Sequence, residues 1–345
     1  MKILVTGGAG FIGSNFVCSA LKQDHVIINV DKLTYAGNLD NLEPYRTHEK
    51  HHFYKQDICD VASVEKIIFK HRPDIIVHMA AESHVDRSID SSEEFIRTNI
   101  NGTHALLEAA LNYYRTLEDK KRFRFVHLST DEVFGALGRE GCFHEEMPYR
   151  PNSPYAASKA ASDLLVRSYF KTHNLPAITV NCSNNYGPKQ YQEKLMPLII
   201  LNALEQKPLP IYGDGQQVRD WLFVEDHIEA LFSIIEKGRI GESYCIGSHN
   251  EMTNVSLVQH ICDILDDIKP ADKKYRELIS FVKDRPAHDF RYATDSIKLH
   301  KDTGWVAKTN FTDGIKKTVE WYVVHFASLQ KNSMARNRIG LKNDN

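Results

Sequence analysis

Residues 3–13 read Ile3-Leu4-Val5-Thr6-Gly7-Gly8-Ala9-Gly10-Phe11-Ile12-Gly13. A short apolar run leads into glycines with GxxGxxG spacing (Gly7, Gly10, Gly13), and Gly8, Gly10 and Gly13 also satisfy GxGxxG. Apolar periodicity then predicts a helix over 11–22. Glycine at these places permits a tight turn, close approach of the backbone to a pyrophosphate, and close packing of helix on strand. The helix beyond the turn aims its free N–H groups and positive dipole end at the same anion, with Phe11 and Ile12 in its first turn. The next apolar run ends at Asp31, 18 residues beyond Gly13. A carboxylate there accepts hydrogen bonds from an adenosine ribose and repels a 2′-phosphate, which favours NAD over NADP despite the adjacent Lys32. Asp57 and Ile58 close the third run, in position to meet the adenine.

Outward from this turn, apolar runs at 3–6, 26–31, 52–57, 75–79, 125–129 and 177–182 alternate with helical patterns at 11–22, 62–71, 93–115 and 154–174. The runs are apolar throughout rather than alternating, as expected of strands covered on both faces of a parallel sheet. Repeated strand–helix units predict an α/β fold, a Rossmann-like doubly wound parallel sheet with right-handed crossovers. Beyond about residue 184, helices over 195–206, 225–237, 253–268 and 311–330 mix with short strands near 209–212, 220–224 and 243–246. This predicts a smaller mixed α/β cap that binds the substrate. The expected division is a dinucleotide-binding domain over 1–183, with later segments returning to it, a second domain over 184–330, and a disordered polar tail over 331–345.

Composition excludes several classes. The 345 residues carry 43 Lys+Arg against 45 Asp+Glu, a net charge of −2, so bulk charge does not hold this protein to nucleic acid. Six dispersed cysteines without a CxxC predict buried free thiols, and 17 histidines without HExxH or a Cys/His cluster predict no metal site. The longest apolar stretch, near 195–204, is broken by Pro197 and falls far short of a membrane span. With a strand-like MKILVTGG at the start leaving no room for a signal peptide, a soluble cytoplasmic protein without membrane partners is expected.

Tyr155-Ala156-Ala157-Ser158-Lys159 is a YxxxK pair. Ser153 and Pro154 suit N-cap and first-turn positions, so the pair should open a helix and share one of its faces. An ammonium about 4 Å from the phenol, at an effective dielectric of about 20, offers roughly 4 kcal/mol, or about 3 pKa units. That lowering would bring a phenolate within reach of neutral pH, where it serves as base for an alcohol oxidation.

Together with Ser129-Thr130, these motifs resemble the extended short-chain dehydrogenase/reductase superfamily. Ser129-Thr130-Asp131-Glu132-Val133-Phe134-Gly135 is similar to the STDEVYG element of the nucleotide-sugar 4,6-dehydratases, most closely those acting on dTDP-glucose. Ala80 to Ser88 (AAESHVDRS), Asn184-Asn185-Tyr186-Gly187-Pro188, Glu193-Lys194-Leu195, Gly213-Asp214-Gly215, Arg219-Asp220-Trp221 and Asp284 to Asp289 (DRPAHD) continue the likeness in order over about 1–330. Three positions depart from the pattern: Phe134 for Tyr, Gln192 for Pro, and Ala287 for Gly. None removes a catalytic group.

The resemblance implies a nucleotide-diphosphate sugar as substrate, NAD as cofactor, and a chemistry that needs the Asp-Glu pair. Oxidising a sugar's 4-hydroxyl acidifies the hydrogen on carbon 5, which Glu132 would remove while Asp131 protonates the departing 6-hydroxyl. Tyr155 would take the 4-hydroxyl proton, Lys159 would assist it and hold the nicotinamide ribose, and Thr130 would bond oxygen 4. A proton-donating Asp131 requires a raised pKa, which a desolvated site beside another carboxylate provides. By the same resemblance, Thr34, Ala80, Ala81, Ser83, Thr98 and Asn185 touch NAD. Ser83, Thr130, Asn184, Lys194, Leu195, Pro210, Tyr212, Arg219, Asn254, Asp284, Arg285 and His288 would hold the sugar nucleotide. A homodimer through the helices near 93–115 and 154–174 is also implied. A UDP-sugar 4,6-dehydratase or 4-epimerase of the same fold, and a non-catalytic NAD-binding scaffold, stay open as alternatives.

Overall fold

The structure is a computed structural model and describes residues 1–43 and 45–330, so the tail expected over 331–345 lies outside the described residues. The first half runs β1 (Lys2–Thr6), α1 (Phe11–Lys22), β2 (Val26–Asp31), β3 (His51–Lys55), α2 (Val61–His71), β4 (Ile75–His78), α3 (Val85–Asp90), α4 (Glu93–Phe95), a π-helical turn (Ile96–Gly102), α5 (Thr103–Arg115), β5 (Arg124–Thr130), α6 (Pro154–His173) and β6 (Ala177–Cys182). It continues with β7 (Asn184–Tyr186), α7 (Leu195–Leu204), β8 (Leu209–Tyr212), β9 (Val218–Phe223), α8 (Val224–Lys237), β10 (Ser243–Ile246), β11 (Glu251–Thr253), α9 (Asn254–Ile268), β12 (Ile279–Val282), α10 (Ile297–Thr303) and α11 (Phe311–Gln330).

Seven strands form one parallel sheet in the order β10-β6-β5-β4-β1-β2-β3. The winding direction reverses between β1 and β4, and the C-terminal ends of those strands therefore flank an open crevice. Apolar side chains bury both faces. Phe16, Val17, Ala20 and Leu21 of α1 pack with Ile228, Leu231 and Ile235 of α8 on one side, and Leu106, Leu107 and Ala110 of α5 with Val166 and Tyr169 of α6 on the other. A third core lies under α7, α9 and α11, where β8, β9 and their neighbours form two small sheets, β11-β9-β7 and β12-β8. Among the described residues, no helix is long and apolar enough to cross a membrane.

The helix expected over 93–115 is interrupted. Its π-helical turn places Asn99 so that its side chain accepts from Glu82 N (2.9 Å) and donates to Glu82 O (3.0 Å). That pairing satisfies both backbone groups of an otherwise irregular segment, and π turns of this kind recur at functional sites. The sequence reading also passed over α3, β7, β11, β12 and α10. Each is three to seven residues long, too short to show a period.

Candidate active site

The glycines of the first turn are used sterically. Gly7 has φ +73°, and a Cβ there would lie 2.7 Å from the Ala80 amide nitrogen; at Gly13 it would lie 2.1 Å from the Gly7 carbonyl oxygen. Gly10 caps α1 without a side-chain hydrogen bond, which leaves the first-turn N–H groups facing the crevice for an anion. At the end of β2, Asp31 accepts from Ala9 N (2.9 Å) and Leu33 N (2.8 Å), which fixes its carboxylate and leaves further lone pairs for ribose hydroxyls. Lys32 is drawn 3.0 Å to Asp57, itself 2.8 Å from Arg97, so its charge is already partnered and does not offset the repulsion by Asp31 of a 2′-phosphate.

One cleft of about 310 Å³ collects every residue expected to touch the cofactor. Gly7, Gly10, Phe11, Ile12 and Gly13 line it from the turn, Asp31, Lys32, Thr34, Asp57 and Ile58 from the β2 and β3 ends, and Ala80, Ala81, Ser83 and Thr98 from β4 and the π-helical turn. Asn185, Tyr155 and Lys159 complete it. Thr130, Asp131 and Glu132 line the same cleft.

The catalytic candidates are placed by two element ends. β5 stops at Thr130, whose hydroxyl accepts from Glu132 N (3.3 Å) and starts a single 3-10 turn over Asp131–Phe134. Asp131 is 1% exposed, and Thr294 donates to its Oδ2 at 3.0 Å. Burial, with the neighbouring Glu132 carboxylate, pushes Asp131 up to about 8. A carboxyl that keeps its proton at neutral pH is what the departing 6-hydroxyl would require. Burial raises Glu132 too, but Arg285, Arg219 and Lys194 oppose it. Two adjacent carboxyls thus sit in unequal surroundings, the arrangement that separates acid from base.

The start of α6 supplies the other pair. Ser153 caps the helix by accepting from Ala156 N (3.1 Å), Pro154 takes the first turn, and Tyr155 N donates to Ser88 Oγ (3.1 Å). One expectation fails here. Tyr155 is not lowered by Lys159 in the protein alone: burial, followed by Glu132 and Cys182, holds its phenol well above 10. The Lys159 ammonium instead donates to the Leu128 carbonyl at 2.7 Å, and burial lowers it to about 8. The physical reason is the dry, acid-flanked wall, which penalises a second anion more than one cation relieves it.

The residues expected to hold the sugar nucleotide divide. Ser83, Thr130, Asn184 and Lys194 line the cleft, and Lys194 Nζ donates to Ser83 O at 2.7 Å. Leu195, Pro210, Tyr212, Arg219, Asn254, Asp284, Arg285 and His288 do not. Leu195 packs against the third core, and Pro210 is buried in β8. Asn254 opens α9, its backbone N–H donating to Gln217 O at 3.0 Å. Arg219 gives its guanidinium to the carbonyls of Val218 and Asp289 and stacks 4.2 Å from the Tyr292 ring centroid. Tyr212 (2.9 Å) and Arg285 (3.3 Å) both reach Asp86, while His288 meets Asp284 at 2.6 Å. The charges of Arg219 and Arg285 nevertheless bear on Glu132, so this second cluster adjoins the first.

Three features went unread in the sequence. Thr294 and Asp86 act through partners 163 and up to 199 residues away, a distance that leaves no local signal. The third is a clasp beside the cleft: Arg87 lies 3.7 Å over the Tyr35 ring and 3.1 Å from Glu193, and Tyr35 meets Tyr191 edge-on. Arg87 falls in the quoted AAESHVDRS stretch, Glu193 in Glu-Lys-Leu, but nothing local joins them.

The sequence and the fold have close counterparts among known proteins. A family model described as GDP-mannose 4,6 dehydratase matches residues 4–318. The dTDP-glucose 4,6-dehydratase of Shigella flexneri is 54% identical over 338 residues, covering 94% of this chain and 93% of that protein. Among solved structures, the Bacillus anthracis dTDP-glucose 4,6-dehydratase, in complex with NAD, is 44% identical with a TM-score of 0.84, covering 97% and 98% of the two chains. The Streptomyces venezuelae enzyme of the same name, with NAD and dTDP bound, is 41% identical with a TM-score of 0.88, covering 95% and 98%. With this identity spread over nearly its whole length, and with the Thr-Asp-Glu and YxxxK groups gathered in one cleft, the chain belongs to the nucleotide-sugar 4,6-dehydratases, in the dTDP-glucose 4,6-dehydratase family.

Proposed function

We propose that this protein dehydrates dTDP-glucose to dTDP-4-keto-6-deoxyglucose as an NAD-dependent hydro-lyase. The observation that carries the reading is the buried Asp131, held protonated to about pH 8 beside a second carboxyl, Glu132, in the cleft that also holds Tyr155 and Lys159. An alcohol oxidation alone has no use for that pair; an elimination across carbons 5 and 6 needs both members.

The residues fit the cofactor: glycines whose Cβ atoms would collide with the turn, an uncapped helix start, and Asp31 with acceptor capacity to spare. Bound NAD supplies hydride acceptance from carbon 4 and hydride return to carbon 6. Tyr155, which must first give up its own phenolic proton, would then receive that of the 4-hydroxyl, assisted by the charge on Lys159 and by Thr130 at oxygen 4. Glu132 then takes the proton on carbon 5, and Asp131 gives its own to oxygen 6, which leaves as water. On completion Glu132 returns its proton to carbon 5, and the cycle closes when Tyr155 loses the proton it took from the 4-hydroxyl and Asp131 regains one, with no net gain or loss of protons. Arg285, Lys194 and their neighbours would hold the diphosphate. In this reading residues 1–183, with later segments returning to them, carry NAD, and 184–330 mainly carry the sugar nucleotide. A homodimer through α5 and α6 is supported by an exposed Leu164 on α6 and Ile96 just before α5. A cytoplasmic location completes the proposal.

Mass spectrometry of incubations with dTDP-, UDP- and GDP-glucose tests it. Loss of one water from dTDP-glucose without accumulation of NADH is the expected result. A product that keeps its 6-hydroxyl would identify an epimerase instead.

A further inference from the structure

Behind the cleft lies a carboxylate that the reaction above does not use. Asp163 stands one turn of α6 beyond Lys159 and is 2% exposed. Its Oδ2 accepts from Ser129 Oγ (2.8 Å), Tyr149 OH (3.0 Å) and Asn181 Nδ2 (3.1 Å), and His127 Nε2 stands 3.1 Å from Oδ1. Donors from β5, β6 and the loop before α6 therefore converge on a single side chain, a pattern that suits an ionised acceptor. A buried carboxylate persists only when hydrogen-bonded or paired, and the same-face cation four residues earlier is Lys159.

The other titratable groups bearing on this pair are neutral. Burial holds His78 of β4 well below 6.5 and His127 of β5 at about 4; it lifts Cys182 of β6 to about 12 and raises both Tyr149 and Tyr155. Burial also lowers Lys159, with Asp163 as the leading opposing influence. Ser129 and Asn181 tie the same carboxylate to the end of β5, since Asn181 also donates to the Thr130 carbonyl at 3.1 Å.

We propose that Asp163 is a positioning residue for the reaction: its carboxylate keeps the Lys159 amine charged and anchors the strand end that presents Thr130, Asp131 and Glu132. The inference rests on the role given to Lys159 above. It is tested by titrating the Lys159 amine by NMR in protein labelled with 15N at the lysine side chain, the signal being assigned by its loss in Lys159→Arg. In Asp163→Asn the midpoint should fall by about one pH unit or more, a tenfold loss of proton affinity. Asp163→Glu should keep it close to wild type, as should Tyr149→Phe, which removes a donor but leaves the charge. Asp163→Ser, small enough to admit a water, reads the same loss of charge if the Asn variant does not fold. An unchanged midpoint in the uncharged variants overturns the proposal. In turnover of dTDP-glucose, the alkaline limb of kcat should move to lower pH in Asp163→Asn with KM little altered. Wild-type protein that makes no keto-sugar would instead count against the proposed function, while the NMR midpoint still decides the role of Asp163.

Discussion

Glu132 and Asp131 are neighbours in the chain but face different surroundings, and their division of labour stems from that. Glu132 senses three cationic side chains, whereas Asp131 is enclosed with the Thr294 hydroxyl on one oxygen. Removing the Glu132 charge should spare the oxidation at carbon 4 and block the elimination. In Glu132→Gln, a single-turnover experiment with dTDP-glucose should show reduced nicotinamide accumulating, with overall turnover lowered by about 10²-fold or more. Wild-type turnover in that variant would remove Glu132 from the role of base. How far such roles were legible is itself a matter of residues. The Asp-Glu dipeptide and YxxxK are contiguous and could be read directly. Their division into acid and base came only through the family resemblance: the high affinity of Asp131 for its proton depends on burial, against which the Thr294 hydrogen bond works, and neither is encoded nearby.

Among elements, the first turn and α1 were readable because glycine spacing and a 3.6-residue period are local properties, and their observed bounds match the expected ones. The π-helical turn at 96–102 was not, because it answers to Glu82 and Ser158 across the cleft wall. The loop after β12 shows a third case. Ala287 stands where the family pattern has Gly, and it adopts φ +50°. A left-handed conformation costs an L-residue about 1–2 kcal/mol, while glycine costs about 0.5–1 kcal/mol in chain entropy. Ala287→Gly should therefore raise stability by about 0.5–1 kcal/mol, seen as a higher urea midpoint at unchanged slope. A lower midpoint would show that the loop gains more from the methyl group than it loses in strain.

For the molecule as a whole, the net charge of −2 means that no general positive field collects anionic ligands, and the turn at Gly7–Gly13 with a few arginines and lysines must do so locally. The same dry site carries a cost in stability that pH reveals. The folded protein holds the Asp131 proton up to about pH 8, whereas an unfolded Asp releases it near 4. Between those values the native state binds the extra proton, so stability attributable to this group declines as pH rises through the window and then levels off. Asp131→Asn removes the titration. Its melting temperature relative to wild type should climb by several degrees from pH 5 to pH 8 and flatten above, on the order expected for a chain of this size. A difference independent of pH would mean that Asp131 is not held protonated.

One topological fact bears on how the chain comes into being. The edge strand β10 pairs in parallel with β6, yet about sixty residues separate them, and α8, which covers α1, falls within that interval. During synthesis the first 183 residues emerge with β6 as an open edge and one face of the sheet uncovered. Such an edge invites pairing with other chains until residue 246 has left the ribosome. The nascent protein thus spends about a sixth of its length with the β6 edge unpaired, open to a strand from another copy until its own β10 arrives.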